Sequence, residues 1–485
     1  MGFNRLPRLN SEQEEVAAQF ADLLAFTEQS LSQPLPANRD ILIVAVPAPS
    51  DSAERFLRLV SRDAGMLWRS PHGKHIAGGG GCVHGIEADG ENRLDTLAAA
   101  SRSFFERVHV RACEGLDVVP TLFGGLSFAP EVPPIEPWIH FGAASLSLCR
   151  WCYGRENRVA YLALAVTREE MADAELRERF VAELEMLLVT LETDSATSLI
   201  ERHEILRNRV KHISLEDWNV YIANIQEAIA SGAFHKIVAA RRCTVDLTSP
   251  VDDTGFMARL FASYPDCTHF AIRREAATFL GATPETLFLK EGSTVRTHAL
   301  AGTKRVKDDA MYDSSEDAAA LRRSYKDLAE HALVVKRIYE ELEPLSTRIR
   351  YSSTPAARRV RNLVHLQTPI SAEVKASVDA FGLLAALHPT PAVGGFPAKE
   401  AAEWIRNNEP QERGWYTGTV GWCDARGNAE FAVSIRCGVL TPKRAFIYAG
   451  AGIVKESDPE SEYRETGAKM HPLLRALGIE QLQRR

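Results

Sequence analysis

The chain has no long apolar run, no excess of basic charge and no framework of paired cysteines, and each lack narrows what it can be. None of its 485 residues belongs to an apolar stretch approaching the roughly 20 residues of a membrane-spanning helix. Lysine and arginine total 57 against 64 aspartates and glutamates, a net charge of -7, and no basic stripe stands out. Phosphate backbones are gripped by such stripes, so a nucleic-acid partner is disfavoured. The opening MGFNRLPRLNSEQEEV lacks the apolar core of a signal peptide and has Leu6 where a myristoylation motif wants Ser or Thr. The expected compartment is the cytoplasm. The eight cysteines are scattered, as reduced, mostly buried thiols are in a chain of this size. Cys149 and Cys152 in CRWC have redox or zinc spacing, but zinc would need a second pair nearby. Two thiols around a strand end are the simpler reading. Also missing are a His-Glu-x-x-His zinc helix, a Gly-x-Ser-x-Gly elbow and a Walker lysine loop. The four glycines Gly78 to Gly81 therefore read as a tight turn.

What is present is 45% hydrophobic and 25% charged, enough for a sizeable core. The first half mixes strand and turn material, such as DILIVAVPAP and LFGGLSFAPEVPPIEPWIHFG, then turns charged and helical from Thr167 to Val210. A fresh start follows. Ser214 with Asp217 resembles a capping box, and Trp218, Tyr221, Ile222, Ile225 and Ile229 repeat at helical spacing until Ser231-Gly232. This predicts a boundary near residue 210, with a mixed α/β half (1–210) packing on a second region (211–485). In the second region SSEDAAALRRSYKDLAEHALVVKRIYEELEPL reads as one long helix. RGWYTGTVGWCDARGNAEFAVSIRCGVL reads as a hairpin turning at DARGN. Strands and helices in blocks predict an α+β fold with a largely antiparallel sheet.

IVKESDPESEYRET packs Glu456, Asp458, Glu460, Glu462 and Glu465 beside the apolar run RAFIYAGAGIV. Either it is a solvated turn or a cation sits among these oxygens. Glu462, Glu465 and Lys469 share a helical face, as do Asp327, Glu330 and His331. Taken singly, each is an ordinary surface helix, with Glu465 and Lys469 forming an i, i+4 pair that contributes about 0.3–0.5 kcal/mol. If the two converged, they would suit Mg²⁺, which takes one or two protein carboxylates plus substrate and water oxygens. Arg436, in VSIRCG, is expected inside an apolar strand, pairing there with an internal carboxylate or gripping an acidic ligand. Lys236 opens another apolar strand, where it either reaches solvent or acts as a base. Burial of Glu285, in LGATPETLF, would raise its pKa and suit it to act as an acid.

LGATPETLF, ALAGTKR, KDLAEHALVV, LHPTPAVGGFP, WYTGTVGW, SIRCG, YAGAGIV and ESEYRETGAK stand in the order found in chorismate-utilising enzymes, which the chain resembles over residues 214 to 475. The loop LHPTPAVGGFP looks like the isochorismate synthase branch rather than the anthranilate or aminodeoxychorismate branches. The resemblance implies two stacked, largely antiparallel β-sheets surrounded by helices, Mg²⁺ dependence without an organic cofactor, chorismate as substrate and a monomeric enzyme. It implies Lys236 as the base that activates water for attack at C2 and Glu285 as the acid at the C4 hydroxyl. Glu330 and Glu465, with Glu462 close by, would be the metal ligands. Arg436 would grip the enolpyruvyl carboxylate, and Lys469 and the backbone of Gly450 the ring carboxylate. Thr303, His388, Ala392, Val393 and Tyr416 would line the pocket. A salicylate synthase, an ammonia-dependent anthranilate synthase and a non-catalytic chorismate-binding protein stay open. So does the pathway served, whether menaquinone, siderophore or salicylate.

Overall fold

The computed structural model describes residues 11–479, except 51–52, 61–63, 74, 157–158, 194–209, 306–314 and 361–362. Among these, thirteen strands form one sheet and ten form another, with helices outside. Pairing is antiparallel almost throughout. Ile41–Pro47 beside Val108–Ala112 is a parallel exception at one sheet's edge. Between the sheets lies an aromatic layer including Trp68, Phe270 and Phe279 from one sheet, Phe123 and Val420 from the other, and Trp415. Phe279 and Trp415 meet edge to face, their centroids 5.8 Å apart. This is the expected α+β architecture.

Residue 210 does not divide the sheets. The strand Ala64–Arg69 pairs with Thr268–Arg274, and Thr121–Leu126 pairs with Thr419–Asp424, so both sheets contain strands from both sides of the boundary. The helix expected just after it runs from Leu215 to Ala230. Ser214 Oγ accepts from Asp217 N, and all five apolar positions are buried. The segment SLIERHEILRNRV, expected to be helical, lies almost wholly outside the described residues.

Two expectations are corrected. Gly78, Gly79 and Gly80 belong to the strand His75–Gly80, and the chain turns only at Gly81, with φ of 68°. A Cβ on Gly79 would stand 2.3 Å from Cys149 Sγ, and one on Gly80 2.2 Å from Val60 Cβ. The glycines are there for close packing on both faces. The single long helix is instead two, Ser315–Arg323 and Tyr325–Leu342, separated by Ser324, whose hydroxyl accepts from Asp327 N. A serine satisfies the free N–H groups of a new helix, and so marks a restart. The thiols of CRWC are free and flank the start of the strand Trp151–Glu156.

Candidate active site

Two passages between the sheets place the first groups. The chain leaves the strand Ala277–Thr283 of one sheet and enters Thr286–Glu291 of the other, with Glu285 on the corner. It returns from Ala429–Val433 to Cys437–Leu440, with Arg436 on that corner at φ of 51°. Arg436 is therefore not inside a strand, as its apolar neighbours suggested. A chain changing sheets must turn, and Arg436 takes the left-handed backbone of that turn. The corners are tied together: Val433 N donates to Glu285 O at 3.0 Å and Ala282 N to Arg436 O at 3.1 Å.

Glu285 is half-buried as a residue, but its carboxyl is enclosed. Burial pushes it up to about 7, outweighing a 3.3 Å hydrogen bond from the Thr390 hydroxyl and the nearby Lys236 charge. Lys236 opens the strand Lys236–Asp246, which pairs with Arg444–Ile453 so that Val238 faces Gly452 and Ala240 faces Gly450. The Lys236 side chain lies across Gly452, and the Tyr416 hydroxyl lies against Gly450. The glycines of YAGAGIV leave room for these two groups.

The acidic segment resolves into separate tasks. Asp458 caps the helix Pro459–Ala476, accepting from Ser461 N at 2.8 Å, and Glu460 pairs with Arg464 on the surface. Glu456 is exposed. Glu462 and Glu465 stand on the face that carries Lys469. Lys469 Nζ donates to Gly450 O at 2.8 Å and to Glu465 Oε1 at 2.7 Å. Glu462 accepts from Ser457 Oγ at 3.0 Å. Burial first, and then the like charge of Glu465, push Glu462 above the ordinary carboxylate range.

Arg436 is held below its usual value by burial, with Tyr416 and Glu465 among the groups pulling it back up. Among the described residues no carboxylate forms an ion pair with it, and Glu465 acts on it through its charge. The strand Leu363–Val374 brings a residue that motif reading missed. His365, opposite Thr303, is pushed down to about 4 by burial and then by Arg436, Arg358 and Lys469. It is a neutral imidazole among cations. A lone histidine alternating with apolar residues in LVHLQT was its only signal. Thr390, which donates to Glu285, was equally unmarked.

The loop after Leu387 closes one side. His388 Nε2 meets Thr417 O at 2.8 Å, and its ring packs edge-on against Phe128. Burial pushes it down to about 4, so the neutral ring donates to the carbonyl and holds the loop. Val393 is buried, Ala392 is exposed, and Gly394 O accepts from Val238 N at 3.0 Å. Thr303 lies in the strand Thr294–Arg305 and Glu330 in the helix Tyr325–Leu342. The side chains of both lie outside the described residues. Among the described residues, no three His, Cys, Asp or Glu side chains converge as a metal cage. The donors present are two neighbouring carboxylates on one helix face, one of them raised by burial and then by the other's charge. Such a pair suits a hard dication that takes its remaining ligands from substrate and water.

Comparison with known proteins identifies the family. A family model described as "Chorismate binding enzyme" matches residues 37–478. The chain belongs to the chorismate-binding enzymes. Within that family it is 33% identical over 463 residues to the salicylate biosynthesis isochorismate synthase of Pseudomonas aeruginosa, covering 93% of both chains. It is 32% identical over 380 residues to the isochorismate synthase MenF of Bacillus subtilis, covering 75% of this chain and 76% of that one. Among solved structures it resembles MenF, the menaquinone-specific isochorismate synthase of Escherichia coli. The TM-score is 0.79 at 26% identity, over 95% of this chain and all of that one. Anthranilate synthase component I of Streptococcus pneumoniae shares the fold at a TM-score of 0.64 and 19% identity, over 91% of this chain and 93% of that one.

Proposed function

We propose that this chorismate-binding enzyme is an isochorismate synthase, adding water at C2 of chorismate and releasing the C4 hydroxyl as water. The observation that carries the reading is the Glu285 carboxyl. Held at a sheet corner with a pKa of about 7, it is available as an acid near neutral pH. Lys236 takes a proton from the attacking water as the C2–O bond forms. The ring double bonds shift toward C4, the C4–O bond breaks, and Glu285 gives its proton to the departing oxygen. Atoms balance: one water enters and one leaves, while Lys236 gains a proton and Glu285 loses one.

Arg436, buried with no carboxylate ion pair among the described residues, seats the enolpyruvyl carboxylate, while Lys469 and the backbone of Gly450 seat the ring carboxylate. Neutral His365 adds a hydrogen-bonding group among these cations. Tyr416, Val393, Ala392 and Thr303 bound the ring, and His388 holds the loop's shape. Holding a dianion at several points selects one water trajectory among several. Glu465, Glu462 and Glu330 would hold Mg²⁺, which when bound neutralises carboxylate charge and fixes the substrate's ring carboxylate. A cytoplasmic monomer belongs to the same proposal and rests on the family resemblance. Two relatives named as isochorismate synthases, each matched over three quarters or more of its length, support the reading.

Incubating the purified chain with chorismate and Mg²⁺ tests it. Isochorismate as sole product is expected. Salicylate with pyruvate would make it a salicylate synthase instead. An aminobenzoate formed with ammonia would make it an anthranilate synthase. Protection of the fold by chorismate without turnover would leave only a binder.

A further inference from the structure

Glu285 gives up a proton in every cycle, and the reaction returns none to it. While substrate or product fills the pocket, that mouth is blocked. Glu285, however, also borders a cavity of about 50 Å³ walled by the strand Thr294–Arg305, the helices Tyr325–Leu342 and Ala380–Leu387, and the loop through Thr390. At some 10–15 Å³ of such volume per water, this space holds a few water molecules and is too small for a substrate ring. Leu287, Leu300, Val334 and Leu387 make most of its wall apolar. Arg337, 38% exposed and paired with Glu341 at 2.5 Å, brings the wall to solvent. His298 lies on the wall, and its buried Nε2 has no hydrogen-bond partner among the described residues. Glu285 lies on the wall beside Thr390, whose hydroxyl donates to its carboxyl.

We propose that this cavity is the water path through which Glu285 regains its proton after each turnover, with His298 as the positioning residue that anchors the water file. A proton enters from bulk water beside Arg337 and Glu341 and passes along hydrogen-bonded waters to the Glu285 carboxylate. The proton gained by Lys236 leaves through the substrate mouth. No other bond is made or broken. Burial keeps the imidazole neutral, pushed down to about 4, so it can both donate to and accept from water. The inference rests on the reading of Glu285 as the acid.

The test uses the full chain with chorismate and Mg²⁺, comparing wild type with H298F, H298Q and A386L. H298F keeps the ring without its nitrogens, H298Q restores a polar anchor, and A386L fills the cavity. H298F and A386L are expected to lower kcat about tenfold, with KM within about twofold and a larger solvent isotope effect on kcat. H298Q is expected to retain most of the turnover. H298F or A386L turning over at the wild-type rate while folded overturns the proposal. So does a fall in kcat with an unchanged isotope effect, which marks a packing defect. If one variant fails to fold, the other decides. If wild type makes no isochorismate, the functional reading itself has failed, a result distinct from any variant's behaviour.

Discussion

Lys236 runs its side chain across the face of Gly452, where a Cβ would stand 2.3 Å from Cε and 3.0 Å from Nζ. The obstructed atoms are the far end of a flexible chain, so Gly452→Ala is expected to fold. The side-chain nitrogen must shift by an ångström or more, which can cost about 10²-fold in rate. Steady-state kinetics should show kcat falling by about that factor while the melting midpoint stays near wild type. Lys236→Ala should bind substrate but lose about 10²- to 10⁴-fold in kcat. Full activity in both variants would remove Lys236 from the chemistry.

The pH profile should carry the signature of Glu285. An acid is competent only while protonated, and this carboxyl titrates near 7. The profile of kcat/KM should therefore fall on the alkaline side with an apparent pKa of about 7, by tenfold per pH unit beyond it. A limb that first appears above pH 9 would assign the proton to another group.

The same burial costs stability. A carboxyl whose pKa is raised from 4.5 to about 7 binds more protons folded than unfolded between those values, so stability falls as pH rises through that window. The shift corresponds to about 3 kcal/mol, fully lost above pH 7. Glu285→Gln removes the titration. It should abolish turnover while raising stability at pH 8 relative to wild type, with little gain at pH 4. Denaturant unfolding at the two pH values measures the difference.

What the sequence made legible was local. The apolar face of Leu215–Ala230 and the hairpin turning at DARGN are periodic and bounded by caps or turn residues, and both stand as expected. The restart at Ser324 and the strand through Gly78–Gly80 were misread because their causes are a cap and close packing, neither visible as periodicity. Sheet membership was not legible either. Alternation says which face of a strand is apolar, not which strand lies beside it. The sequence after Thr268 therefore did not announce that the chain changes sheets at Glu285. At the site, ordered motifs pointed to the candidate acid, base and cations. Thr390, which donates to Glu285, and His365, which the cations depress, are distant in sequence from these groups and became visible only as neighbours.

Dependence on divalent cation is expected to be strict. Glu462 and Glu465 repel each other on one helix face, and Lys469 offsets only part of that charge. EDTA should abolish turnover without unfolding the chain, and Mg²⁺ should restore it. Glu465→Gln should raise the Mg²⁺ concentration for half-maximal activity at least about tenfold, in line with the loss of a ligand. Full conversion in EDTA would contradict the assignment.

Glu409 and Arg413 form an ion pair in which each side chain is only 3% exposed. Arg413 donates to both Glu409 oxygens, at 2.6 and 2.7 Å, and to the carbonyls of Val393 and Val238, both at 2.8 Å. Glu409 also accepts from the Tyr221 hydroxyl at 3.0 Å and from Ala240 N at 3.2 Å. One pair thus ties the strand that carries Lys236 to the loop that closes the pocket. Removing one partner strands a buried charge and leaves backbone carbonyls unpaired, so Arg413→Met should destabilise the fold by about 3–5 kcal/mol. Glu409→Leu with Arg413→Met removes both charges and should recover part of that loss, because well-packed apolar groups can replace a buried pair. The two carbonyls would still lack their donor, so KM for chorismate should rise even where stability returns. Denaturant unfolding and KM measured on the single and double variants separate the two effects. A double variant with wild-type KM would show that the pair serves stability alone.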